Sequence, residues 1–269
     1  MLGSARPERF LYGGIMAFIY FFIFITGAAF GSFFNVCIWR MPLHQSIITP
    51  RSQCPHCHQF IKPWHNIPIL SFLMLRGKCH YCGNGIKINY LLVELITPIV
   101  WMLLFWRFGN SFNWVFAKYI IFYSVGIIIF FIDFYNKIIP DRLSLPLLVT
   151  GLVISLIPQT DITIFKALIG AAIGFTFFYL LALAVSHSLR KEALGGGDIK
   201  YIATIGAFLG IYGVLFTIFI SAAIAIVVVL ISGRDRSKEI PFGPFLIIGA
   251  LIHTLAGDWM TGTYLSLFY

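Results

Sequence analysis

An all-α polytopic membrane protein is the fold class this chain predicts, with about eight transmembrane helices and a cytoplasmic four-cysteine loop. Three observations lead there. Of 269 residues, 59% are hydrophobic and only 11% charged, more apolar surface than a soluble domain can hide. The apolar runs are continuous rather than alternating, so helices and not barrel strands cross the bilayer. The basic residues gather in short segments between those runs, as the positive-inside rule requires.

The first apolar run, Phe10 to Trp39, lacks Asp, Glu, Lys and Arg for 30 residues. That length suits a retained spanning helix, predicted over 12–38, rather than a cleavable signal peptide. A soluble loop over 39–89 follows, bearing Arg40, Arg51, Lys62, Arg76, Lys78 and Lys87. Helices are expected over 90–107 and 114–133, with Trp101, Trp106 and Trp114 as interface anchors. Two more are expected over 143–158 and 163–187. Lys137 with Arg142, then Arg190, Lys191 and Lys200, then Arg234, Arg236 and Lys238 mark three further cytoplasmic segments.

Parity decides the next element. Residues 201–233 carry no Asp, Glu, Lys or Arg for 33 positions. Basic segments on both sides require an even number of crossings. Two short helices, 199–212 and 214–232, with a turn near Gly210 to Gly213, meet that requirement. A final helix spans 243–258. The expected organisation is thus a first transmembrane helix (1–38), a zinc-binding loop domain (39–89) and a membrane core (90–269). The net charge of +9 fits the positive-inside rule, so the expected partner is the lipid bilayer and not nucleic acid.

Cys54-Pro-His-Cys57 and Cys79-His-Tyr-Cys82 are two CxxC knuckles 21 residues apart. That spacing suits a tetrahedral four-thiolate zinc site, structural because protein fills every ligand position. Two disulfides are the alternative, and a cytoplasmic loop argues against them. His56, His58 and His80 read as solvated knuckle residues. Cys37 reads as a small buried apolar side chain.

Two aspartates stand out. Asp133 closes fourteen residues free of Asp, Glu, Lys and Arg, and Asp198 follows Gly195, Gly196 and Gly197. Carboxylates at a membrane edge are costly and point to function. Both lie at one membrane face by the topology above, so they can meet. Two close carboxylates share a proton and supply one base and one acid, which suits activation of water for peptide hydrolysis. The blander readings are an N-cap for Asp198 and an interfacial carboxylate paired with Lys137 or Arg142 for Asp133. Asp141, beyond Pro140, is a weaker partner whose simpler role is to cap the helix beginning near Leu143. Glu94, inside the second helix, suits either a structural hydrogen bond or a hold on substrate or methyl donor.

These residues resemble the bacterial prepilin peptidases, or type IV leader peptidases, of the GxGD aspartyl protease class. The resemblance runs in order through Gly31 to Pro42, Pro50 to Pro55, Asn66-Ile67-Pro68, Leu75 to Cys79, Val93-Glu94-Leu95, Asp133 with Ile139-Pro140-Asp141, Gly195 to Lys200 and Ile240 to Phe245. The family usually has Tyr-Pro where this chain has Tyr90-Leu91. The resemblance implies that Asp133 and Asp198 are catalytic. It implies cleavage after glycine of the short basic leader of type IV prepilins or type II secretion pseudopilins, at the cytoplasmic face of the bacterial inner membrane. It also implies N-methylation of the new N-terminus from S-adenosylmethionine, an activity that accompanies the cysteine-bearing loop. Two rival classes remain: a transporter built on intramembrane carboxylates, and a zinc-scaffolded assembly protein without catalysis.

Overall fold

A computed structural model describes residues 6–189, 195–232 and 240–266. Arg190, Lys191, Arg234, Arg236 and Lys238, part of the orientation argument, lie outside the described residues. The described residues form helices α1 (Arg6–Arg40), α2 (Leu70–Met74), α3 (Ile88–Arg107), α4 (Trp114–Asn136), α5 (Asp141–Ile154), α6 (Ile164–Leu189), α7 (Gly196–Ser232) and α8 (Gly243–Ser266). The chain divides into two compact units, Met1–Trp106 and Arg107–Tyr269.

In the first unit α1 and α3 run antiparallel. Tyr20 meets Phe105 edge-on at 5.4 Å, Phe30 lies 5.2 Å from Trp101, and the Asn35 side chain donates to the Tyr90 carbonyl at 2.9 Å. The close approach depends on Gly27 and Gly31, four residues apart on one face of α1. A Cβ at Gly27 would stand 2.7 Å from the Pro98 Cα, and one at Gly31 would stand 2.9 Å from the Glu94 Cα. Small residues at this spacing are how helices pack in lipid, where apolar surface alone supplies no drive to associate. Trp101, expected at the interface, is instead buried against Phe30. Trp106 and Trp114 are exposed, as interface anchors require.

The second unit is built around α7. Asn113 caps α4, its Oδ1 accepting the Phe116 N–H at 2.8 Å. Lys137, at φ 55°, ends α4 in the left-handed cap conformation and returns its N–H to the Asp133 carbonyl at 2.8 Å. At 14 residues, α5 is about 21 Å long, short of a bilayer core of about 30 Å. Among the described residues α1, α3, α4, α6 and α7 are long and apolar enough to cross a membrane, and Gly243–Gly257 of α8 is a shorter apolar stretch. The protein is therefore a multi-pass helical membrane protein.

The charge-free stretch behaves as parity requires. Gly210 leaves helical geometry at φ 68°, ψ −172°, a conformation that glycine adopts without steric cost. A Cβ at Gly170 on α6 would meet Gly206 and Gly210, whereas one a turn later at Gly174 would meet both Ile202 and Val214. Residues 202 and 214 would be about 18 Å apart on one continuous helix. Both approach Gly174 only because α7 folds back at Gly210. Beyond the bend Ser221 donates to the Phe245 carbonyl at 2.9 Å, so the second arm runs beside the start of α8. Every residue of the first arm from Tyr201 to Gly210 is buried, as for a helix enclosed on all sides.

One buried ion pair braces the opposite end of the unit. The Lys118 ammonium, fully buried, reaches Asp161 Oδ1 at 2.7 Å, and the Tyr119 hydroxyl donates to Asp161 Oδ2 at 2.7 Å.

Candidate functional site

Asp133 sits in the last turn of α4 and is only 4% exposed. Its Oδ2 accepts the Gly243 N–H at 2.9 Å. Gly243 opens α8, so this donor comes from a helix N-terminus, where the dipole favours negative charge. A Cβ at Gly243 would fall 2.7 Å from that oxygen. The contact therefore requires glycine for lack of a side chain and not for a special dihedral.

Asp198 lies in the first turn of α7. Its N–H donates to the Gly195 carbonyl at 3.0 Å, and its Oδ1 is buried without a partner. A buried carboxylate oxygen left unpaired is costly. Ile139 joins the two halves of the site. A Cβ on Gly197 would meet the Ile139 Cβ at 2.9 Å, and one on Gly243 would meet the Ile139 Cδ1 at 3.3 Å. Asp198 lies within the electrostatic reach of Asp133. The end of α4, the start of α7 and the start of α8 thus bring both aspartates into one locus.

Asp141 is engaged elsewhere. The Lys200 ammonium grips both of its carboxylate oxygens, at 2.8 and 2.7 Å. It does not cap a helix at Leu143 either: α5 begins at Asp141 itself, with Pro140 in the N-cap position. The Gly243 N–H was not foreseen as an Asp133 partner. The only hint was the Pro241-Phe242-Gly243-Pro244 run, which marks a constrained start to the last helix.

The four cysteines form a second constellation, in the first unit. Both knuckles use one scheme. The Cys54 N–H donates to the Gln59 carbonyl at 3.0 Å, and the His58 N–H returns to the Cys54 carbonyl at 2.9 Å. The Cys79 N–H donates to the Asn84 carbonyl at 2.8 Å, and the Gly83 N–H returns to the Cys79 carbonyl at 2.9 Å. His58 and Gly83 hold equivalent left-handed positions, at φ 57° and 71°. His58 therefore serves a turn.

All four sulfurs lie within 4.8 Å of one another, and Cys54 Sγ is 3.8 Å from Cys82 Sγ. Sulfurs arranged tetrahedrally about 2.3 Å from a metal stand about 3.8 Å apart. A disulfide would need about 2.05 Å, and every one of these cysteines is a free thiol. Against the upward pull of burial, the N–H groups of Cys57 and His56 hold the Cys54 thiol down to about 7, helped by Cys79 and Cys57. At Cys82 the Asn84 N–H pulls downward, but burial and the three other cysteines push the thiol up to about 11. Four crowded thiols ionise together only around a cation, and the cluster can hold a metal ion. Cys37, 2% exposed, is a packed core residue.

Comparison with known proteins agrees with this anatomy. Residues 25–108 match the bacterial peptidase A24 N-terminal domain, and residues 120–230 match the type IV leader peptidase family. The prepilin leader peptidase/N-methyltransferase of Bacillus subtilis strain 168 is 35% identical over 252 residues, covering 91% of this chain and 97% of the relative. The protein of the same name from Neisseria gonorrhoeae is 32% identical over 258 residues, covering 87% and 89%. That from Legionella pneumophila is 31% identical over 276 residues, covering 93% and 95%. No solved structure matches. With both halves of the chain matched in order and relatives alike over nearly their whole length, this protein belongs to the type IV leader peptidase family.

Proposed function

We propose that this protein is a membrane aspartic endopeptidase that removes the short basic leader of type IV prepilins or type II secretion pseudopilins after a glycine, and then N-methylates the new N-terminus. The observation that carries the peptidase reading is the unpartnered, buried Asp198 Oδ1 in the same locus as Asp133. Asp133 and Asp198 are the catalytic pair. One carboxyl group draws a proton from water as its oxygen bonds to the scissile carbonyl carbon. The other gives a proton to the departing nitrogen as the C–N bond breaks. The Gly243 N–H fixes the position of Asp133. Gly197 lets the start of α7 pack against Ile139, and the exposed Gly195 and Gly196 leave the ground beside Asp198 open to an extended substrate backbone.

Zinc is the metal that suits the four cysteines, by sulfur chemistry and by spacing, and its role is structural. The 39–89 loop and the aspartates face the cytoplasm of a bacterial inner membrane. The support for this is the placement of Arg40, Arg51, Arg76, Lys137 and Lys200. S-adenosylmethionine, when bound, would supply an activated methyl group for the new N-terminal amine. The three divisions of the chain, 1–38, 39–89 and 90–269, correspond to anchor, metal-held loop and peptidase core.

The test is incubation of the purified full chain with a detergent-solubilised prepilin and methyl-labelled donor, followed by mass spectrometry of the product N-terminus. Cleavage after glycine with a methylated product is expected, and Asp133→Asn and Asp198→Asn should each leave the precursor uncut. Normal cutting by either variant refutes the assignment of the pair.

A further inference from the structure

A cavity of about 410 Å³ opens within the first unit, between the cytoplasmic end of α1, the start of α3 and the cysteine knuckles. That volume lies in the range of about 300–1,000 Å³ found for sites that hold drug-sized ligands. Its lining is mixed in a way that packing alone does not explain. The Glu94 carboxylate lies in the wall, with Oε2 accepting the Ile69 N–H at 2.7 Å and the Ser32 side chain as a further hydrogen-bond partner. Both partners are neutral, so among the described residues the negative charge meets no cation. His65, also in the lining, has a buried Nδ1 without a partner. Trp39 and Tyr90 supply aromatic surface, and Arg40 and Lys87 supply positive charge on the same wall. Lys87 sits 5.2 Å over the Trp39 ring.

The geometry points to this cavity as the binding site of the methyl donor, S-adenosylmethionine, with Glu94 holding its cationic part. The inference rests on the methyl-transfer reading above. The donor's chemistry matches the lining group by group. It carries a sulfonium and an ammonium, which a half-buried uncompensated carboxylate attracts. It carries a carboxylate, which meets positive charge from Lys87 and from Arg40, whose Nη1 also donates to the Ser46 carbonyl at 3.0 Å. It carries a purine, which stacks on aromatic faces, and ring nitrogens that pair with an orphaned imidazole nitrogen. Cys54 and Cys79 stand in the same wall, so the metal-held knuckles shape the cavity and its shape depends on the metal.

Two measurements on the purified, metal-loaded full chain test this. The first is photolabelling of the wild-type protein with an 8-azido analogue of S-adenosylmethionine, mapped by mass spectrometry. Label within 32–94, displaced by S-adenosylhomocysteine, is expected. Label confined to 107–269, or displaced by a leader peptide but not by S-adenosylhomocysteine, overturns the assignment. The second is calorimetric binding of S-adenosylmethionine to Glu94→Gln, whose amide oxygen can still accept the Ile69 N–H. Affinity should fall at least tenfold with metal content unchanged, and wild-type affinity overturns the role given to Glu94. A wild-type protein that methylates its product but labels elsewhere defeats this inference alone. One that cleaves prepilin yet neither binds donor nor methylates defeats the methyl-transfer reading and the inference together.

Discussion

The backbone N–H of Gly243 donates to Asp133 Oδ2 at 2.9 Å, tying the first residue of α8 to the last turn of α4. A methyl group on Gly243 would sit 2.7 Å from that oxygen. Gly243→Ala therefore displaces the carboxylate without touching either aspartate. A misplacement of about 1 Å in a catalytic group costs on the order of 10²-fold in rate. Leader cleavage by Gly243→Ala should fall by about that factor, with thermal stability in detergent nearly unchanged.

Neighbouring glycines before Asp198 should differ sharply. A Cβ on Gly196 meets nothing within 4 Å, whereas one on Gly197 meets the Ile139 Cβ at 2.9 Å. Gly196→Ala should cleave within about threefold of wild type, the effect expected of an exposed change worth under about 0.5 kcal/mol. Gly197→Ala pushes α7 off Ile139 and should lose most activity. Side-by-side precursor-processing time courses read the difference.

Asp141 tests whether any carboxylate near Pro140 will serve. Its partner is Lys200, and the two side chains are 53% and 38% exposed. Such a surface pair contributes about 0–1 kcal/mol. Asp141→Asn should cut prepilin at close to the wild-type rate, and a loss comparable to Asp133→Asn would return Asp141 to the catalytic pair.

Metal removal should separate the two activities. Neither the Pro63–His65 turn nor α2 contains a buried residue, so the loop has little core of its own and depends on its metal. A strong chelator, or Cys57→Ser, should abolish N-methylation and increase proteolysis of the loop. The aspartates lie in the other compact unit, so cleavage should persist. Limited proteolysis with product mass spectrometry measures both.

The Lys118–Asp161 pair bears on stability. Removing Asp161 leaves a fully buried ammonium without its counter-charge, a loss for which about 3–5 kcal/mol is typical. Asp161 is one-third exposed, so solvent screening reduces the figure to about 2–3 kcal/mol for Asp161→Ala. Adding Lys118→Met should recover most of it, because the buried charge goes too. Thermal unfolding in detergent reads both variants.

The membrane-spanning pattern was legible because lipid imposes one simple rule on composition, and even the fold-back at Gly210 followed from counting basic segments on either side. The two aspartates and four cysteines were legible for a related reason: each is a costly or chemically distinctive residue in a place that composition alone would not fill. The partners were not. The Gly243 N–H is a backbone group and carries no side-chain signature. Nothing beside Lys118 in the chain marks its partner, and only packing brings Asp161 from 43 positions away. Glu94 was visible as an anomaly, but the cavity beside it arises from tertiary closure of a loop over two helices. Helix ends moved for local reasons, as when Pro140 started α5 two residues early.

The arm that carries Asp198 meets protein on every side from Tyr201 to Gly210. Lipid chains do not touch it, so its depth is set by its neighbours and not by acyl length. Membranes of different thickness tilt or stretch helices that face them, but here such adjustment falls on the outer helices. The enzyme should therefore work at similar rates in short-chain and long-chain bilayers.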